Sequence, residues 1–293
     1  MDGSGLQVDF VMPDRRKTRG TQVSGTLRVN ALLYADDLVL ICESMEILTE
    51  CVRKLEAKTR QWGLTINARK TKWMTANCDA EDARLKIGGN PLERVDKFVY
   101  LGSMVSSKST SAEETRRRIS LGAFKFHQLR KTVSDQTALS TRTKARVYKA
   151  TVLSTILYGA ETWTCNDDDY AKLNRFHLRR LQQLAGPRRV GLTNAKLYLS
   201  AQTAPLENIV RRYRLRWAGH VRRYEENRWA KKVLFGDLIG GKQGRGRPRL
   251  EWTDCFESDL ERAGIKKGRW TTMAKERTVW RDAISSLTST SKK

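Results

Sequence analysis

Tyr34-Ala35-Asp36-Asp37 stands between two apolar runs, residues 29–33 and 38–42. Two adjacent carboxylates at the tip of a β-hairpin repel each other unless a cation sits between them. A merely solvated turn favours Asn-Gly or Asp-Gly instead. The pair Asp36 and Asp37 therefore reads as a divalent-metal site, because hard cations take carboxylate oxygens.

The second group of candidates is cationic. Arg211, Arg212, Arg214 and Arg216 alternate with Tyr213 and Trp217, and Arg222 and Arg223 precede Tyr224. Such a surface can hold phosphates and stack bases on its rings. Leu215, Ala218 and Val221 also make a core-like stripe, so the aromatics read mostly as core and the arginines mostly as facing a polyanion. Arg245-Gly246-Arg247-Pro248, followed by Arg249, matches the core of an AT-hook, whose extended Arg-Gly-Arg lies in a narrow A·T-rich minor groove. The plainer alternative is a basic loop before a helix that starts at Pro248.

Other clusters have structural readings. Asp167-Asp168-Asp169 fits the first turn of a helix, where negative charge meets the positive end of the helix dipole. Trp252, Trp270 and Trp280 fall at helical core positions. Cys42, Cys51, Cys78, Cys165 and Cys255 are scattered without a CxxC pair, which reads as reduced intracellular thiols. The histidines, His127, His177 and His220, do not complete a zinc-knuckle spacing.

The elements that must carry these groups change along the chain. After a loose entry, residues 29–43 form the proposed hairpin. Ser44 is placed to cap a helix reaching about Trp62, with Met45, Leu48, Val52, Leu55 and Thr59 on one face. Residues 64–67 and 72–75 read as short strands flanking a basic turn at 68–71. Further strands are predicted at 85–87 and 97–102, so the first hundred residues read as one β-α-β-β sheet with a helix packed on it. Helical periodicity then dominates, over 112–131, 141–158, 167–184, 207–224, 250–263 and 271–287.

Charge follows a different division. The 293 residues carry 56 Lys+Arg against 32 Asp+Glu, a net of +24. Residues 175–250 hold 19 basic and 4 acidic side chains, whereas residues 1–100 hold 16 and 14. The excess implies a polyanionic partner, nucleic acid above all. No apolar stretch approaches the ~20 residues of a membrane helix, and the first 30 residues lack the pattern of a signal peptide. These features predict a nuclear or cytoplasmic protein without a membrane partner or a small-molecule cofactor.

The order Tyr34-Ala35-Asp36-Asp37, then Trp62-Gly63-Leu64-Thr65-Ile66-Asn67, Lys70-Thr71-Lys72 and Phe98-Val99-Tyr100-Leu101-Gly102 resembles the later palm motifs (C, D and E) of non-LTR, LINE-type retrotransposon reverse transcriptases. Residues 157–163, 216–221 and 244–252 resemble the thumb and C-terminal region of the same elements. The resemblance implies an α+β fold: a partial palm at 1–105, a helical thumb at 106–186, and a basic helical region at 187–293 with a linker at 240–249. It implies RNA-directed DNA polymerisation with Mg2+, acting on element RNA, target DNA and their RNA–DNA hybrid. Asp36 and Asp37 become catalytic metal ligands. Lys70 becomes a candidate acid for the leaving pyrophosphate, and Tyr34, Tyr100, Leu101 and Gly102 become primer contacts.

In that family a further metal-binding aspartate lies on an earlier strand, behind the fingers. Here 33 residues precede Tyr34, and Asp9, within Val8-Asp9-Phe10-Val11, is the nearest imitation among Asp2, Asp9 and Asp14. The chain is thus expected to be the C-terminal part of a retrotransposon protein, without the endonuclease and inactive alone. Two alternatives stand beside this: a nucleic-acid-binding remnant without catalysis, and a degenerate product that folds poorly because its sheet exposes an unpaired edge.

Overall fold

The computed structural model describes residues 6–12, 23–29, 31–75, 84–107, 110–186, 192–238 and 250–288. In chain order these form β1 (Leu6–Met12), β2 (Val23–Val29), β3 (Ala31–Tyr34), β4 (Asp37–Leu40), α1 (Met45–Gln61), β5 (Lys72–Trp73), β6 (Lys86–Ile87), β7 (Asn90–Pro91), β8 (Glu93–Arg94), β9 (Lys97–Tyr100) and β10 (Ser103–Ser106). The helical part follows with α2 (Ala112–Gln128), α3 (Thr141–Tyr148), α4 (Ser154–Ile156), α5 (Asp167–Ala185), α6 (Asn194–Ser200), α7 (Leu206–Arg222) and α8 (Trp229–Phe235), then β11 (Asp237–Leu238), α9 (Trp252–Arg262), α10 (Trp270–Met273) and α11 (Arg277–Ser285). The class is α+β. Two compact units form, one from Met1–Ser109 with Glu225–Gly246, the other from Thr110–Tyr224 with Arg247–Lys293.

In the first unit the strands do not build the single sheet read from the sequence. Among the described residues they form one three-stranded sheet, ordered β11-β1-β2, and separate pairs β3-β4, β5-β8, β6-β7 and β9-β10. Residues 64–67, predicted as a strand, form none. The reason is local. Gly63, at φ 70°, ends α1 in a Schellman motif, with Gly63 N–H donating to Arg60 O and Leu64 N–H to Thr59 O. Asn67 then closes a turn through its side chain onto Lys70 N–H. Only Lys72–Trp73 is extended, and it pairs in parallel with Glu93–Arg94.

Helix α1 organises the core of this unit. Ser44 caps it by accepting from Ile47 N–H. Its buried Val52 joins Trp73, Leu85, Ile87 and Leu92, with Leu40, Met45, Leu48, Ile66 and Ala68 packed around them. Trp73 Nε1 donates to Leu92 O at 3.2 Å, which satisfies its buried polar atom.

The second unit is helical. α2 ends in a π-turn at Arg130–Ser134, and α3 passes through another at Lys149–Leu153 into α4. The continuous helices predicted at 112–131 and 141–158 thus each contain an i→i+5 segment. α5 opens with a capping box between Asn166 and Asp169, which is the structural role read for the Asp triplet. The stretch at 271–287 breaks between α10 and α11. α2, α3, α5 and α7 share one core, which includes Phe126, Tyr148, Ile156, Leu173, Phe176, Leu206 and Val210. Leu215, Ala218 and Val221 are fully buried, and Trp270 and Trp280 are buried too. Trp252 is half-buried and donates to Glu161 O at 2.9 Å. No helix among the described residues is long and apolar enough to cross a membrane.

Candidate active-site hairpin

β3 and β4 pair antiparallel in full register, Ala31 with Leu40 through Tyr34 with Asp37. Ala35 and Asp36 are the two central turn residues. Ala35 has φ 52°, a region that costs an L-residue of this kind roughly 1 kcal/mol or more. The twist of a two-residue hairpin requires it. The turn lifts Asp36 and Asp37 into solvent, and Tyr34 beside them is 64% exposed. Leu33, read as part of an apolar run, is 75% exposed. The hairpin is anchored at its base, where Leu40 enters the core around α1.

Lys70 is exposed on the turn that Asn67 closes. Its loop is held by Ile66 and Ala68, which pack on the same core as Leu40, so one helix supports both the carboxylate hairpin and the lysine turn. Tyr100, Leu101 and Gly102 form the end of a different hairpin. Tyr100 pairs with Ser103, and the turn uses Leu101 at φ 46° and Gly102 at φ 78°, the pattern of a type I′ turn. Asp9 lies in β1 opposite Thr26, in a sheet separate from β3-β4. Asp2 and Asp14 lie outside the described residues.

The chemistry of the donors can be tested against Mg2+. That ion is commonly held by one or two carboxylates together with substrate oxygens and water, and Asp36 with Asp37 fits that requirement. A two-ion clamp needs more, and among the described residues no group of three or more His, Cys, Asp or Glu side chains is disposed to hold a metal.

Against this geometry, residues 13–105 match the family model for reverse transcriptase, RNA-dependent DNA polymerase. The match contains the whole Tyr34–Asp37 hairpin, the Lys70 turn and the Tyr100–Gly102 turn. A transposon-derived protein of Caenorhabditis elegans is 27% identical over 282 residues, covering 90% of this chain and 100% of that protein. No solved structure matches. The likeness to a transposon-derived protein thus extends beyond the reverse transcriptase segment into the helical unit.

The arginines read as nucleic-acid contacts divide sharply. Arg211 and Arg214 are buried, which corrects the expectation that they face a polyanion. Arg211 Nη1 donates to Asp259 Oδ1 at 2.6 Å, and its Nη2 donates to Glu207 Oε1 at 2.8 Å. Arg214 pairs with the other oxygen of Asp259 and donates to Trp163 O at 2.6 Å. Burial works against the Arg214 charge, but Asp259 and Tyr170 more than offset it and hold the guanidinium protonated. Burial likewise raises the Asp259 carboxyl, and the two guanidiniums pull against that rise.

The physical cause lies in helical spacing. Glu207, Arg211 and Arg214 lie at i, i+4 and i+7 on α7, the side that meets α9. Arg212 reaches Thr288 Oγ1 at 2.8 Å and Arg223 reaches Ala274 O at 2.7 Å. Arg216 is exposed and Arg222 is half-buried. Arg245, Arg247 and Arg249 lie outside the described residues. The sequence reading passed over Arg116 on α2 and Arg175 and Arg179 on α5, which line one groove. The repeat of Arg175 and Arg179 one turn apart was the available signal.

Proposed function

We propose that this chain derives from the RNA-directed DNA polymerase of a non-LTR, LINE-type retrotransposon, with its palm motifs at the Tyr34–Asp37 hairpin and its thumb and basic region in the helices beyond. The observation that carries the reading is the reverse transcriptase match laid over a strained two-residue turn that presents Asp36 and Asp37 to solvent. In this reading Asp36 and Asp37 hold the cation and Tyr34 lies beside the primer end. Lys70 gives a proton to the leaving pyrophosphate, as suits an ammonium near polyanionic phosphate. Mg2+, when bound, supplies charge stabilisation at the phosphoryl oxygens. Element RNA, target DNA and the RNA–DNA hybrid are its nucleic-acid partners, met in the nucleus or cytoplasm.

The same reading holds that the 293-residue polypeptide does not extend primers by itself, because two carboxylates supply only part of a two-ion clamp. The test is primer extension on oligo(dT)-primed poly(rA) with Mg2+. No extension is expected. Extension that Asp36→Ala abolishes would overturn the inactivity and leave the polymerase assignment standing.

A second reading is a nucleic-acid-binding protein without catalysis, favoured by the net charge of +24. It expects binding with steep salt dependence that Asp36→Ala leaves unchanged. Neutralising Arg245 and Arg247 should weaken it.

A further inference from the structure

Arg180, on α5, lies between two phenyl rings. Its guanidinium carbon is 4.9 Å from the ring centre of Phe126 and 5.1 Å from that of Phe176. Phe126 belongs to α2 and Phe176 to α5, so the guanidinium bridges the seam where these helices pack. Nη1 donates to Gln183 Oε1 at 2.6 Å, while the buried Nε has no hydrogen-bond partner. Stacking between rings fixes the fork of donors without neutralising it.

Other cations extend the seam. A groove of about 350 Å³ on one side of Arg180 is lined by Arg116 of α2 and by Lys172, Arg175 and Arg179 of α5. A second hollow of about 320 Å³ on the other side includes Arg130 and His127. The carboxylates present reach only the two ends. Asp168 accepts from Lys172 Nζ at 2.5 Å, and Asp135 lies 3.3 Å from Arg130 Nε. Among the described residues Arg116, Arg175, Arg179 and Arg180 make no ion pair. The field is also felt by Asp168, whose carboxyl is held below its ordinary range by Lys172 first, and by Arg175 and Arg116 as well.

Like charges one helical turn apart on a fixed helix repel. Arg175 and Arg179 stand about 6 Å apart along the α5 axis, with Arg116 across the groove. A row of unneutralised guanidiniums on two packed helices suits a polymer that repeats its negative charge better than it suits a single small anion. Arginine forks match phosphate oxygens two at a time. We propose that the α2–α5 seam, centred on Arg180, grips the phosphodiester backbone of a nucleic-acid strand. This rests on the reading of the chain as a nucleic-acid binder and moves the contact away from α7, where Arg211 and Arg214 are already committed to Asp259.

The test uses the full chain and fluorescence anisotropy with a labelled 20-nucleotide RNA, alone and hybridised to DNA, across a salt series. Arg175→Gln/Arg179→Gln removes two exposed charges, and Lys266→Gln/Arg269→Gln removes two exposed charges elsewhere in the same unit. The seam variant should lose about tenfold in affinity and lower the salt slope by between one and two, with an unchanged melting temperature. The control variant should lose less than twofold. Equal losses in the two variants would overturn the seam while leaving nucleic-acid binding intact. Wild-type protein that binds neither probe would sink the wider reading instead. Competition by polyglutamate as effective as by unlabelled RNA would overturn the choice of nucleic acid as the occupant.

Discussion

Arg211 Nη1 and Asp259 Oδ1 meet at 2.6 Å across the α7–α9 contact, with both side chains almost wholly removed from solvent. Arg214 takes the second carboxylate oxygen, so a single acidic side chain on α9 serves two cations on α7. A charge taken out of water is tolerated only when it is paired and hydrogen-bonded. Asp259 is therefore the residue on which the α7–α9 packing turns.

Replacing it leaves Arg214 buried without a carboxylate and Arg211 with Glu207 alone. Asp259→Ala should destabilise the helical unit by about 3–5 kcal/mol, and Asp259→Asn should do nearly as much because the charge is gone. Urea unfolding followed by far-UV circular dichroism measures this. A loss below about 1 kcal/mol would show that Glu207 or water compensates.

His177 makes the same unit sensitive to acid. It is fully buried against Tyr148, whose hydroxyl lies 2.9 Å from Nδ1, and burial pushes its pKa down from 6.5 to about 4. The unfolded chain takes up this proton near pH 6.5 while the folded chain resists it, so the unfolded state binds more protons between those values. Stability is then full above pH 6.5 and falls as the pH is lowered toward 4, by about 2 kcal/mol at pH 5 and about 3 at pH 4. Melting temperatures from pH 7.5 to 4.5 should show the decline, and His177→Phe should flatten it between pH 6.5 and 5.

Gly219 lies where Trp280 of α11 packs against α7. A Cβ built there would lie 2.1 Å from Trp280 Nε1, and that nitrogen donates to Leu215 O at 2.9 Å. Gly219→Ala should cost about 1–3 kcal/mol from overpacking, despite the better helix propensity of alanine. A lowered melting temperature with a changed near-UV tryptophan signal checks it. An unchanged melting temperature would mean that Trp280 moves aside without penalty.

Leu101 is a strained turn residue at φ 46°. Leu101→Gly should relieve about 1 kcal/mol. If this hairpin opens locally, amide exchange at Phe98 and Val105, the next hydrogen-bonded pair after Tyr100 and Ser103, should slow about fivefold. Faster exchange would mean that the leucine side chain contributes more than its backbone costs.

Much of the local structure was legible in the sequence, because it depends on near neighbours. Tyr34–Asp37 had to be a tight turn between strands, Ser44 had to cap α1, Asp167–Asp169 had to open α5, and the 3.6-residue stripes marked most helices. The sequence also carried the segment, residues 13–105, that matches the reverse transcriptase family model. Tertiary structure decided what distant residues did to one another. Arg211 and Arg214 looked like exposed phosphate contacts until Asp259, at least 45 positions later, claimed them. Arg180 was one of the 19 basic side chains of residues 175–250, and only the fold stacked Phe126, on another helix, against it. The short strands split into separate pairs for a similar reason: strand pairing is set by which partners packing brings within hydrogen-bonding distance, and periodicity along one segment carries no record of that choice. Charge type was written in the chain, whereas its availability to a partner was settled by burial.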